Sequence, residues 1–393
     1  MDLPLKNCVC INFKRIPPLL KVLVSKVPDK SQFRKKHGYL LGLVSAGFDE
    51  DMMRVMFHFF DPLHHCFTFP DYQLVPTLEE FSRILGIPIL DQVPFTGLEV
   101  TPKSERIAAA LQLRKSDITW VKRSGVEGLL PESLYKKAQL FLDAMSYHAF
   151  EEILALLIYG LVLFPNPDNF IDVRAINIFL TRNPVPTLLG DILHSLHTRT
   201  TKERGTLMCC IPLLSKWFIS HLPQTVLKPE WGCPWSKRMM SLSNSDILWG
   251  PRTREGITYI DHYGQFPNVP LLGIRGGITY NPSLALRQFG YARNDGPHDN
   301  LIKGIVFNYE NDPQDNRQKF KQAWNKVYRV NTETWGPKKY IPGELYLRWV
   351  RTRAQRLTMP YRAVRPVIIE PENEEDVPLV ILHPDMPTNL EEL

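Results

Sequence analysis

No stretch of this chain stays apolar long enough to cross a bilayer. The longest uninterrupted run, Ile153 to Phe164, is twelve residues, against the ~18 to 20 that a spanning helix needs. The six cysteines, Cys8, Cys10, Cys66, Cys209, Cys210 and Cys233, form no C-x-x-C pair and are too sparse for a disulfide scaffold, so reduced, mostly buried thiols are expected. The opening "MDLPLKNCVCINFKRIPPLL" lacks the apolar stretch behind a basic start that marks a secretory signal, which points to an intracellular protein. A G-x-S-x-G nucleophile elbow is absent, as is the glycine spacing of a dinucleotide or nucleotide-phosphate loop. The last 28 residues, Pro366 to Leu393, contain no lysine or arginine but eight acids. All 47 basic residues therefore face only 33 of the 41 acids within residues 1–365, a net charge of +14. A body that basic attracts polyanions, nucleic acid foremost.

With 44% hydrophobic content over 393 residues, the chain can bury a large core. The most strongly specified stretch is "FTFPDYQLVPTLEEFSRILGIPI", residues 67–89. Its left half alternates aromatics as a half-buried strand does. Its right half predicts a helix with both ends marked: Thr77 as N-cap, Glu80 reaching back to complete a capping box, Gly86 as left-handed stop and Pro88 as barrier. The run ending at Pro165 reads as a buried core helix, and "QFRKKHG" as a solvated turn. Thr187 repeats the Pro-Thr-Leu helix start, Pro212 should interrupt "TLMCCIPLLSKWFISHLP", and "NPSLALRQFG" reads as a helix capped by Asn281 and stopped by Gly290. The expected architecture is mainly α, a multi-helix globular body with a small strand-containing insertion near 250–280. Four regions follow from composition. They are a leader at 1–44 packing on the body, a helical part at 45–224, a part at 225–365 with short strands and a basic helix, and an acidic, Pro-rich, disordered tail at 366–393.

The aromatic strand followed by "VPTLEEFSRILGIPI" resembles the signature of the plant mobile domain family, also called aminotransferase-like plant mobile domain. "ALLIYGLVLFPN", "GDILHSLHTRT" through "CIPLLSKWFISHLP", and "VPLL" followed by "LRQFG" resemble later family elements in the family's own order, together covering about residues 45–360. Arg287, Phe289 and Gly290 carry the last of these. The resemblance implies a transposon-derived plant protein, here of a divergent legume-type subgroup, linked to nuclear roles in silencing, genome stability or meristem maintenance. It supplies no catalytic residues.

Aminotransferase chemistry needs a Schiff-base lysine and a phosphate cup. "LLGIRGGITYNPS" offers Gly273, Gly276 and Gly277 with no lysine nearby, so it reads as turn chemistry and no cofactor is expected. His64, His65 and Cys66, the pair His194 and His197, and Cys209 with Cys210 lack zinc-site spacing, so no metal is expected either. Asp172, Asp191, Asp246, Asp261 and Asp295 are acids that a metal-dependent transposase would have to gather. The remaining signal is "LYLRWVRTRAQRLTMPYRAVR". Arg348, Arg351, Arg353, Arg356, Arg362 and Arg365, with Trp349 among them, suit phosphate contact and base stacking. At helical spacing Arg348 and Arg351 share a face with Arg356 near it, while Trp349 and Arg353 lie on another. The expected function is a non-enzymatic nuclear module binding nucleic acid or chromatin proteins. The alternative is a gag-like structural protein or a fragment of a retrotransposon polyprotein.

Overall fold

The computed structural model describes residues 10–90, 92–202, 204–228, 233–250, 259–263, 268–297, 304–312, 315–330, 339 and 341–362. Arg365 and the acidic tail lie outside the described residues. Helix accounts for 48% and strand for 14%, the strands among the described residues forming five small sheets. The chain is therefore mixed α/β, which corrects the mainly α expectation, and strand pairing is not confined to 250–280. Cys10–Phe13 runs parallel to Arg204–Leu207. Phe60–Asp61, Cys66–Thr68 and Gln73–Leu74 make an antiparallel meander, and Trp120–Arg123, Val126–Leu129 and Ile171–Asp172 make another. Val269–Leu272, Gly276–Tyr280 and Val306–Asn308 form the third antiparallel set, and Tyr259–His262 pairs with Tyr328–Val330. These strands are two to five residues long, too short to carry a readable period of two. Some pairings join segments distant in sequence, as in the parallel pair, while others are local antiparallel turns.

One apolar cluster runs from Ile11 to Tyr361. At its centre the helix Tyr147–Ile158 is buried from Ala149 onward and continues into a π-helical turn, Tyr159–Leu163. The run Ile153–Phe164 is apolar on every face and has no place but a core, while the buried Glu152 just ahead of it is paired with Lys36 and Arg182. Around it, local signals set the helix ends. Thr77 Oγ1 accepts the Glu80 N–H at 3.2 Å, and Gly86 closes the helix Leu78–Leu85 at φ +62°. A side chain there would meet the Tyr39 ring at 2.5 Å, so the position is closed by sterics as well as by φ. Pro88 follows in an irregular segment.

Several sequence expectations are corrected. "QFRKKHG" lies largely in a helix, Lys30–His37, whose N-cap Asp29 accepts the Gln32 N–H. Pro212 occupies the first turn of Ile211–Ile219 and so starts that helix after the strand Arg204–Leu207. Thr187 lies inside Val185–Thr200, because Pro184 already has helical dihedrals. "NPSLALRQFG" is a 3₁₀ turn, Pro282–Ala285, with Asn281 accepting the Ser283 N–H; further turns lead to Gly290 at φ +88°.

The helix Val185–Thr200 packs on the strands Val269–Leu272 and Gly276–Tyr280. Contact is backbone to backbone: a Cβ on Gly273 would sit 2.7 Å from Asp191 Cα, and one on Gly190 would sit 3.0 Å from Gly273 N. Only glycines at both positions permit this approach. It brings Asp191 against the turn that carries Arg275.

Candidate functional site

The helix Glu344–Leu357 divides its side chains into two sets. Tyr346, Val350 and Ala354 are buried. Trp349 stacks on His64 with centroids 5.8 Å apart, and on Tyr346 at 6.1 Å. Arg353 donates from Nε to Asp61 Oδ2 and from Nη2 to Asp61 Oδ1, both at 2.7 Å. Arg348, Arg351, Arg356 and Arg362 are exposed, with Arg351 at 3.1 Å from Glu344. Beyond the helix, Tyr361 hydrogen-bonds His58 at 2.6 Å. Trp349 and Arg353 are thus docking residues of this helix, and four of the arginines face water.

Asp61 anchors that docking. Its carboxylate is fully buried, and burial alone would raise its pKa. The Arg353 hydrogen bonds, then those of His64, outweigh burial and hold it well below the usual carboxylate range. His64 Nδ1 lies 3.1 Å from Asp61 Oδ2. Donor atoms of Asp61, His64 and Cys66 come within 4.8 Å of one another, a grouping that the sequence spacing of 64, 65 and 66 did not indicate. The donor set fits a metal poorly. Both Asp61 oxygens are held by a guanidinium that already supplies positive charge. Burial, and then the Asp61 charge, push the Cys66 thiol well above its ordinary range, whereas a metal needs the thiolate.

The Glu80 carboxylate does not reach back to the backbone as a capping box requires. It accepts from Trp217 Nε1 at 2.8 Å and from Gln288 Nε2 at 3.1 Å, and lies 3.0 Å from His221 Nε2. Thr77 Oγ1 also donates to it at 2.9 Å. Burial works against its ionisation, but the His221 charge and these hydrogen bonds prevail and lower its pKa. Gln288 in turn accepts from Val75 N–H and donates to Val75 O, both at 2.8 Å. The two most recognisable phrases, "VPTLEEF" and "LRQFG", are therefore hydrogen-bonded to each other. Arg287, bonded to Asn244 Oδ1, lies 3.8 Å over the Trp249 ring, and burial lowers its pKa to about 10. Phe289 stacks on Tyr259 at 4.0 Å. Beside Glu80, Glu79 accepts the Ile260 N–H at 2.8 Å through one oxygen, while the other has no hydrogen-bond partner among the described residues; burial raises its carboxyl to about 7.

A polar pocket of about 350 Å³ opens where the end of Val185–Thr200 meets Arg204–Leu207 and the turns after Leu272 and Asn308. Arg275 sits in its wall. Its Nη2 donates to Asp191 Oδ1 at 3.0 Å, to Ser195 Oγ at 2.8 Å and to Met208 O. Arg199 and Lys202 line the pocket from the helix end, Glu310 and Asn308 from the turn. Burial lowers the His194 imidazole to about 4, so it is neutral here. Sequence reasoning did not single out Arg199, Lys202 or Arg275. In "GIRGG" the glycines carry the visible signal, and the arginine between them has none of its own.

The remaining sequence candidates take separate partners. His197 faces Pro62 O at 3.1 Å and the His65 ring at 5.3 Å, while His194 turns to the pocket. Asp172 caps Val173–Thr181 and binds Arg174, Asp191 binds Arg275, and Asp246 accepts from Ser243. Among the described residues no helix is long and apolar enough to cross a membrane. No curated protein and no solved structure matches the chain. Residues 20–355 match the family model described as domain of unknown function DUF7745, and the chain belongs to that family.

Proposed function

We propose that this protein is a non-enzymatic interaction module that binds nucleic acid through the outer face of Glu344–Leu357 and the adjoining Arg362. The carrying observation is the sorting of the arginines. Arg353 is held by Asp61 and Trp349 by His64, while Arg348, Arg351, Arg356 and Arg362 remain exposed on a helix whose docking fixes which way they point. Arginine presents a rigid fork to phosphates, and a basic body adds sequence-independent attraction. The resemblance to plant mobile domain proteins supports a nuclear setting and a transposon-derived origin.

The test is binding of the full chain to duplex DNA by fluorescence anisotropy across roughly 50–200 mM salt. Arg348→Ala/Arg351→Ala/Arg356→Ala should lower the log–log salt slope by about 2–3. Equal binding and slope in the triple variant would defeat the reading. Concentration-dependent assembly without DNA, by sedimentation, together with no DNA binding, would replace it with the gag-like structural role.

A further inference from the structure

We propose that the pocket between the end of Val185–Thr200 and the Arg275 turn binds a phosphate monoester of nucleotide size.

Arg275 makes all its protein hydrogen bonds through Nη2. Its Nε and Nη1 donors have no partner among the described residues, and the side chain is 31% exposed. Asp191, Ser195 and the Met208 carbonyl fix the guanidinium at the wall of a cavity and leave donors for something else. Holding a charged donor in place before the ligand arrives removes its ordering cost from binding.

Lys202, at the same rim, makes no ion pair with a described residue and is exposed. Thr198 and Thr206 add hydroxyls to the lining. Cationic side chains with hydroxyls beside them form charge-assisted bonds to phosphate oxygens, the strongest class of hydrogen bond such a site can offer.

The remainder of the pocket suits the rest of a nucleotide. A cavity of about 350 Å³ is much larger than an inorganic anion needs and lies within the size range of small-molecule sites. Leu207 and Met208 give it apolar surface, and Asn308 and Glu310 offer a donor and acceptors for base edges or ribose hydroxyls. The site is separate from the basic helix and does not depend on its reading.

The test is isothermal titration of the full chain with adenosine 5′-monophosphate, uridine 5′-monophosphate, adenosine and inorganic phosphate. The two nucleotides should bind, inorganic phosphate at least about tenfold more weakly, and adenosine not measurably. Lys202→Ala, at an exposed side chain that leaves the fold intact, should weaken adenosine 5′-monophosphate about tenfold. Arg275→Lys should weaken it further, with circular dichroism reporting whether the fold is retained. The triple variant of the basic helix should bind the nucleotide unchanged, which separates this site from the DNA interface. No heat from either nucleotide at about 1 mM, equal binding of adenosine, or an unaltered constant in Lys202→Ala would each overturn the proposal.

Discussion

Replacing Arg353 by methionine tests what holds the basic helix in place. Asp61 has no exposed surface, and the Arg353 side chain keeps 16% of its own, so the pair is a buried one joined by two 2.7 Å bonds. A surface pair of the same geometry would contribute about 0–1 kcal/mol. Removing one partner of a buried pair instead leaves a desolvated charge, costing about 3–5 kcal/mol. Methionine keeps the packing of the stem, so the loss is electrostatic. Asp61 retains His64 at 3.1 Å, which places the expected loss at the lower end, about 3 kcal/mol. For a urea slope of roughly 3 kcal/mol per molar, that lowers the midpoint by about 1 M at pH 7. The companion Asp61→Asn/Arg353→Met, with the charge removed from both sides, should recover more than half of the loss, giving a coupling of at least ~1.5 kcal/mol. Limited proteolysis should cut the single variant within 341–362 faster than the wild type. A midpoint within about 0.3 M of wild type, or a cycle that adds without coupling, would refute the assignment of Arg353 to docking and return it to the exposed set.

Further expectations concern the interior. Glu80→Ala leaves the Trp217 indole, the Gln288 amide and His221 without their acceptor and should cost about 3–5 kcal/mol by urea denaturation; a loss near 1 kcal/mol would mean that Glu80 acts only as a helix-capping residue. Burial holds His65 and His194 near 4 and His37 near 3. Their folded pKa values lie below the unfolded 6.5, so their stability is complete above about 6.5 and is lost as pH falls toward 4. Each contributes about 1.4 kcal/mol per pH unit within that window, and a urea midpoint flat from pH 7 to 4 would contradict it. Glu79 works in the opposite sense: raised to about 7, it costs stability once both states are ionised. Glu79→Gln should therefore stabilise at pH 8 by roughly 1–3 kcal/mol and do nothing at pH 4, read from paired midpoints.

Legibility followed the range of the interaction. The Thr77 cap, the Gly86 stop and the buried run at 153–164 depend on groups a few residues apart or on composition, and a reader of the sequence meets all of them in one window. Thr187, within the same Pro-Thr-Leu tripeptide, misled because Pro184 had already entered helical dihedrals. The strand Cys10–Phe13 escaped notice since its partner, Arg204–Leu207, comes from the far side of the chain. His64 and Cys66 were visible as neighbours, but Asp61 joined them only through the turn between two strands of the meander.

The amino-acid order alone determined where the helix Leu78–Leu85 begins and ends, how much apolar surface must be buried, and that Arg353 and Trp349 lie on a different side of their helix from Arg348 and Arg351. Tertiary structure decided which of those sides turns inward, because the deciding carboxylate, Asp61, is 292 residues away in the chain. It also decided that Glu80 serves the core through Trp217 and Gln288, and that Arg275 faces a cavity. A buried charge is committed by whichever partner the fold delivers to it, and no local pattern encodes that delivery.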